Sequence, residues 1–357
     1  VSAVRLPSQT LLRHLTLALI IGLALYAIST LVDPFRDLQL ATAAYYFAVL
    51  AGLTLLTGLN GQISLGHGAL MAVGAYATAL LVGDQHWPLG VALLAATVIT
   101  AAIGAIFGSA AARLRGPYLA GATLAFALGL PALAFKYPST FGGDNGLTVN
   151  PPTPPASLGS TFPLERWQAW ICCLGALVVF VLLANLSRGR TGRVFRAVRD
   201  DEIAAQLAGV AVARTQILAF LVSAACAGAG GALYVVVNSL AAPGAFSLAL
   251  SLSLLTGVVL GGLGSLAGAA WGALALVFLP VWSDDVAHSI SLPGKVTTNL
   301  PLALYGIALI AVMLAAPEGI QGAVGAAGRR VRREAGRTPP QAIDTNQSKR
   351  TEETVHE

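Results

Sequence analysis

Charge is what this sequence lacks. Only 10% of its residues are Asp, Glu, Lys or Arg, where a soluble domain carries about 25%. Apolar residues make up 56% of the 357-residue chain, and the mean hydropathy is +0.74. This balance excludes a soluble globular protein and predicts an all-α integral membrane protein. Cysteine is scarce too. Cys172, Cys173 and Cys226 all lie inside apolar runs, and the first two are neighbours, so they read as small core residues and not as a disulfide or metal site. No GxxxxGK[ST] pattern occurs: the sole Gly-Lys pair, Gly294-Lys295, is followed by Val296. ATP is therefore not expected to bind this chain, and no cofactor is expected on it.

Ten apolar runs are long enough to be read as spans, which need about 20 residues each. The first is Leu15 to Val32. It follows Arg13 and His14, but it is long for a signal-peptide core and no small-x-small site precedes Asp33, so it is read as a span. The others are Leu40–Gly58, Ile63–Val82, Gly90–Ala112, Pro117–Phe135, a run opened by Trp167 and Trp170, Thr215–Asn238, two runs within Phe246–Trp282, and Asn299–Ala316. The expected domains are an N-terminal segment 1–14, a membrane domain 15–316 with loops at 136–166 and 188–213, and a polar tail 317–357 expected to be largely disordered.

Charge then gives the orientation. Arg5, Arg13, Arg113, Arg115, six arginines between Arg188 and Arg214 and seven basic residues of the tail fall on one side. Only Arg36, Lys136, Arg166 and Lys295 fall on the other. The richer side is expected to be cytoplasmic, with both termini there. The net charge of +5 is thus a matter of topology, and no nucleic-acid partner is implied. No acidic residue falls in any proposed span, which argues against a proton-relay pump.

Two stretches stand out for what they contain. The turn GLNGQISLGHG, Gly58 to Gly68, is polar and glycine-rich within a continuous apolar region. Its Asn60, Gln62, Ser64, Gly66, His67 and Gly68 are candidates for a transport path, because irregular backbone at membrane depth needs protein or a water-filled cavity to satisfy it. The same residues also fit a tight turn in which His67 is an ordinary interhelical bond. A second break, GGLGSLAG at Gly261–Gly268, holds a similar place in the other half and hints at an internal repeat on a poor residue match. Gly264, Gly268 and Gly272 are spaced four apart and predict one small-residue helix face for close packing.

The loop Arg188–Arg214 is the other stretch. Asp200 or Asp201 can cap a short helix with Glu202 in its first turn. Ile203, Ala204, Leu207 and Ala208 give it an apolar face, and Gly209 ends it. Such a helix suits a groove on a partner; an ordinary loop carrying orientation charge is the alternative.

Four segments bear a resemblance. GLNGQISLGHGALMAVGAYA (Gly58–Ala77), RGPYLAGATLAF (Arg115–Phe126) with TFGGDNGL (Thr140–Leu147), FRAVRDDEIAAQLAGVAVARTQILAFLVSAACAGAGGALY (Phe195–Tyr234) and GGLGSLAGAAWGA (Gly261–Ala273) are similar, in order, to the LivM-like permease subunits of bacterial ABC importers for branched-chain amino acids. Two departures are visible: Ala127–Pro131 stands where relatives often carry an acidic residue, and Pro317-Glu318-Gly319 lacks the basic residue often found there. The resemblance implies about ten transmembrane helices with broken, glycine-rich segments. It implies a LivH-like permease partner, two ATP-binding subunits and a periplasmic substrate-binding protein at an inner membrane. Glu202, Ala204, Ala205 and Gly209 would match the ATPase-coupling motif, with Arg196, Arg199, Asp200 and Asp201 beside it. A permease for urea or short amides, or a partner-independent facilitator, is the competing expectation. A membrane-embedded enzyme finds no catalytic constellation in the spans.

Overall fold

The computed structural model describes residues 8–113, 117–159, 161–289, 300–316 and 319–326. The chain is helical almost throughout, because a segment surrounded by hydrocarbon must satisfy its own N–H and C=O groups. In chain order the helices are α1 Ser8–Leu31, α2 Pro34–Leu53, α3 His67–Ala79, α4 Leu89–Ala111, α5 Pro117–Lys136, the short α6 Pro138–Phe141, α7 Leu164–Arg188, α8 Arg190–Asp200, α9 Glu202–Leu207, α10 Val212–Asn238, α11 Leu248–Gly261, α12 Leu266–Ser289 and α13 Leu300–Ala315. Residues 319–326 form a further helical stretch. The only strands among the described residues are β1 Leu147–Thr148 and β2 Leu240–Ala241, an antiparallel pair that ties the loop after α5 to the exit of α10.

Seven of these helices are long and apolar enough to cross a membrane, against the ten runs read from sequence. Two of the three differences lie at the glycine-rich breaks, where α3 and α11 are short, and the third is α13, whose described helix has 16 residues. α11 has 14 residues and begins beside the start of α3: Ser251 Oγ accepts from the Gly68 N–H at 3.1 Å. α3 in turn begins midway along α10, where His67 meets Ser223. Both helices therefore start inside the bundle. The span boundaries also shift. α2 begins at Pro34, with proline in its first turn where no N–H is needed. Arg36 and Asp37, read as loop residues, are thus helical. The helix extends the acid-free span proposed from Leu40 and brings in Asp37, fully buried, with Arg166 Nε donating to its Oδ2 at 3.2 Å. α12 likewise runs past Trp282 through Asp284 and Asp285.

Packing at the centre relies on small residues. In hydrocarbon the hydrophobic effect does not drive helices together, so close backbone approach must supply the attraction. α10 lies between α3 and α4. A Cβ on Gly104 of α4 would strike Ala224 of α10, and one on Gly228 would strike Thr100. Gly74 of α3 sits on the Gly228 backbone, and Gly231 on the Met71 carbonyl. Phe195, Phe220, Phe246 and Leu50 are the largest side chains fully enclosed. α1 lies at the edge and exposes Leu12, Leu19, Ile20 and Leu23.

The glycines of the second break are arranged differently from the proposed single face. Gly264 precedes α12, adopts a left-handed φ of +80° and packs over Gly58. Gly268 and Gly272 are on α12 and press against Gly261 and Gly257 of α11. Helix 319–326 returns to this place: Gly319 abuts Gly262, and Trp271 Nε1 donates to Gln321 Oε1 at 3.2 Å. Apart from this helix, the tail expected to be disordered lies outside the described residues, as do Arg115 and Gly116 of the second resembling segment.

Candidate functional site

The Gly58–Gly68 segment begins where α2 loosens. Thr54–Leu59 forms a π-helical turn, a form that concentrates at functional positions because it leaves the backbone ladder incomplete. The Asn60 N–H donates to the Leu55 carbonyl, and the Gln62 N–H to the Leu56 carbonyl at 3.1 Å. Gly61 then takes a φ of +79°. From there to Gly66 the chain is irregular and climbs to the N-terminus of α3.

His67 is buried, and both ring nitrogens are engaged. Ser223 Oγ donates to the Gly52 carbonyl at 2.8 Å. A hydroxyl has one proton, so at 2.7 Å it accepts from His67 Nε2–H. Nδ1 is then left as an acceptor for Ser64 Oγ–H at 3.0 Å, while Ser64 Oγ accepts from the Gly66 N–H at 3.3 Å. The bonds form one neutral chain across α2, the irregular segment and α10, and they fix the His67 tautomer. Thr123 of α5 adds a bond, its Oγ1 accepting from the Leu65 N–H at 3.0 Å. Ser251 binds Gly68, as above. Ser64, Gly66, His67 and Gly68 are thus held by four helices.

Asn60 and Gln62 are different. Both are more than nine-tenths buried, yet none of their four side-chain amide atoms has a partner among the described residues. Thr54 Oγ1, one turn earlier, is also buried without a partner. Leaving such groups unpaired costs about 1–3 kcal/mol each. A protein retains them where water, a passing solute or another conformation supplies the bond.

The loop Arg188–Arg214 contains two helices rather than one. α8 is strongly amphipathic and buries Gly192, Phe195 and Val198. α9 is capped by Asp201, whose Oδ1 accepts from the Ile203 N–H at 2.8 Å and the Ala204 N–H at 3.0 Å; of the two aspartates, Asp201 takes this role. Gly209 terminates α9 at φ +83°, with its N–H on the Gln206 carbonyl. Glu202 Oε1 accepts from Gln216 Nε2 of α10 at 2.9 Å. Ala205 is buried, while Ala204 and Ala208 are exposed. Ile203 is 72% and Leu207 85% exposed, so the apolar face of α9 has no cover among the described residues. Arg196 Nη1 reaches the Ser187 carbonyl at 3.2 Å.

Arg199 connects the two sites. Its Nη1 donates to the Gly58 carbonyl at 2.7 Å, its side chain lies against Gly61, and its other nitrogens hold Asp200. Gly58 is itself the glycine that meets Gly264. One arginine of the charged loop therefore sits at the point where both glycine-rich breaks touch. Sequence reasoning named Arg199 and the two breaks without this contact. It also missed Ser223, Ser251, Thr123 and Gln216, whose signal was a polar side chain within an apolar run. No cluster of potential metal ligands occurs among the described residues.

Comparison with known proteins gives the family. Residues 37–316 match the family model of the branched-chain amino acid transport system permease component. The chain belongs to this family. Within it, the chain is 33% identical to the high-affinity branched-chain amino acid transport permease LivM of Salmonella typhimurium, over 68% of this chain and 62% of that protein. It is 32% identical to the autoinducer 2 import permease LsrC of an Enterobacter species, over 80% of this chain and 87% of that protein. It is 27% identical to the branched-chain amino acid permease LivH of Escherichia coli, over 78% and 91%. The match thus spans about three-fifths of the length of LivM. No solved structure matches the chain. The family match starts at Asp37 and ends at Ala316, so it takes in both glycine-rich breaks, α8 and α9.

Proposed function

We propose that this chain is a translocation-pathway subunit of a bacterial ABC importer in the cytoplasmic membrane, and that its cargo is a branched-chain amino acid. The Arg-rich end, with α8, α9 and both termini, faces the cytoplasm, a reading that the distribution of basic residues supports. ATP-binding subunits dock there on α9, a LivH-like permease pairs with this chain, and a periplasmic binding protein delivers the cargo to the opposite face. The chain itself carries no cofactor.

The observation that carries this reading is the join between a partnerless apolar helix and the irregular segment. Ile203 and Leu207 offer α9 a place in a partner's groove. α8 follows α9 as a rigid lever, because Asp201 both ends α8 and caps α9. Arg199 passes its displacement to the Gly58 carbonyl. Moving Gly58 against Gly264 shifts the segment that holds Asn60 and Gln62, whose open amide groups then meet water or cargo. A facilitator acting alone has no use for the exposed α9 face.

The test is uptake in proteoliposomes that contain this chain, its permease partner and the ATP-binding subunits, with binding protein outside and ATP inside. Leucine, isoleucine or valine should accumulate only with ATP. Passive equilibration without ATP would instead support the facilitator. A second reading of the cargo rests on LsrC, which aligns with more of this chain than LivM does. On that reading the neutral amides of Asn60 and Gln62 serve a polar uncharged solute of the autoinducer 2 kind, and leucine fails to accumulate while that solute does.

A further inference from the structure

A hollow of about 260 Å³ opens between α8 and the start of α10. Arg190 and Thr191 line it from α8, Arg214 and Thr215 from α10, and Phe195 and Leu218 complete it. Among the described residues neither arginine has a carboxylate within ion-pair distance, for the ion pairs there are Arg166 with Asp37 and Arg199 with Asp200. The acids of the same loop are engaged elsewhere: Asp200 by Arg199, Asp201 by the α9 backbone and Glu202 by Gln216. The hollow therefore concentrates positive charge that no described residue neutralises. Its other wall is apolar. Leu218, one turn further into α10, is 40% exposed on the outside of the bundle. A cationic mouth above an apolar surface marks the boundary between water and hydrocarbon.

From these observations we propose that the hollow binds the phosphate headgroup of an anionic phospholipid, with its acyl chains descending past Leu218. The chemistry is that of a phosphate. Planar guanidinium groups present paired N–H donors to phosphate oxygens. The first turns of α8 and α10, neither capped by a side chain, add N–H groups that favour an anion. A free phosphate shares the headgroup chemistry, but it gains nothing from the apolar wall.

The experiment is native mass spectrometry of the full chain in detergent, titrated with phosphatidylglycerol or with phosphatidylcholine of the same acyl chains. Wild type, R190Q/R214Q and the control R193Q are compared. Arg193 is exposed on α8 and does not line the hollow. The expected result is one phosphatidylglycerol retained by wild type and R193Q in preference to phosphatidylcholine. In R190Q/R214Q that preference falls by about tenfold or more, the effect expected of removing two cations at a lipid surface. Equal melting temperatures for the three proteins show that the loss is local.

Equal loss in R193Q would overturn the proposal in favour of diffuse attraction to the basic face. So would unchanged retention in R190Q/R214Q. Displacement of the lipid by millimolar inorganic phosphate would overturn it in favour of a simple anion site. Retained lipid together with loss of co-purifying ATP-binding subunits would overturn it in favour of an acidic protein contact. The readout needs neither transport nor ATP, so its failure leaves the importer reading intact.

Discussion

Arg199 Nη1 donates a 2.7 Å hydrogen bond to the carbonyl of Gly58, a residue 141 positions earlier in the chain. The donor sits at the end of an amphipathic helix on the charged face. The acceptor sits within the π-helical turn that opens the irregular segment. A bond to a charged donor is worth about 1.5–3 kcal/mol when sheltered. The Arg199 side chain is 40% exposed, so about 1 kcal/mol is the fair figure after screening. Its value is directional, since it joins two elements that would otherwise move independently.

The first prediction follows from that bond. Arg199→Ala should leave ATP-binding subunits attached and ATP hydrolysis running, while uptake per ATP falls by about fivefold, the equivalent of about 1 kcal/mol of lost coupling. Arg199→Lys should recover part of it, since an ammonium group can reach a carbonyl without the guanidinium's second contact to Asp200. The measurement is uptake and ATPase rate on the same proteoliposomes. Proportional loss of both would contradict the linking role.

The glycine contact at the two breaks gives the second. A Cβ on Gly58 would overlap the Gly264 backbone, so Gly58→Ala should destabilise the fold by about 1–3 kcal/mol. Gly264→Ala carries an added penalty of about 1–2 kcal/mol from its left-handed φ. Gly121→Ala, on α5 with nothing within 4 Å, should be neutral or stabilising by up to about 1 kcal/mol. Melting temperatures in one detergent rank the three.

Much of the site was legible in local chemistry, and the rest depended on distant contacts. The Asp cap and Gly stop of α9 were readable because capping involves neighbours only. The helix 190–200 was overlooked: its four arginines masked the buried stripe of Gly192, Phe195 and Val198. Leu40 reads as the start of the second span because Arg36, Asp37 and Gln39 depress the local hydropathy; Arg166, far along the chain, is what makes a helical Asp37 tolerable. Gly264 was placed on a helix by its spacing, but the turn that receives Gly58 claims it. The shortness of α11 could not be seen in its sequence either, since its start is set by Gly68. His67 looked like either a path residue or a bridge. Its bonds to Ser64 and Ser223 show a bridge in this conformation, while Asn60 and Gln62 keep the open groups.

His67→Ala removes that bridge and leaves Ser64 and Ser223 buried, at an expected cost of about 2–4 kcal/mol. Ser223→Ala in the same background should cost less than it does alone, with a coupling energy of about 1 kcal/mol. A thermal-stability cycle of the four proteins checks this. Strict additivity would mean that the two side chains do not depend on each other.

Asp37 and Arg166 supply a prediction remote from the path. Breaking a partly buried ion pair strands a charge, here Arg166 with a side chain 20% exposed, so Asp37→Ala should destabilise by about 1–3 kcal/mol. D37L/R166M, which removes both charges, should recover most of the loss. Melting curves of the single and double variants decide it. If the double variant is as unstable as D37A, the pair is not what makes Asp37 tolerable.

The central claim is that α9 is where an ATP-binding partner delivers its work, and co-purification in mild detergent tests it most directly. Wild type and I203R/L207R should be isolated side by side from cells that express the whole system. Both side chains are exposed, so the variant should insert and melt as wild type does. The account predicts that ATP-binding subunits accompany wild type and are absent from the variant. Retention of those subunits by I203R/L207R, or their absence from wild type, would contradict it.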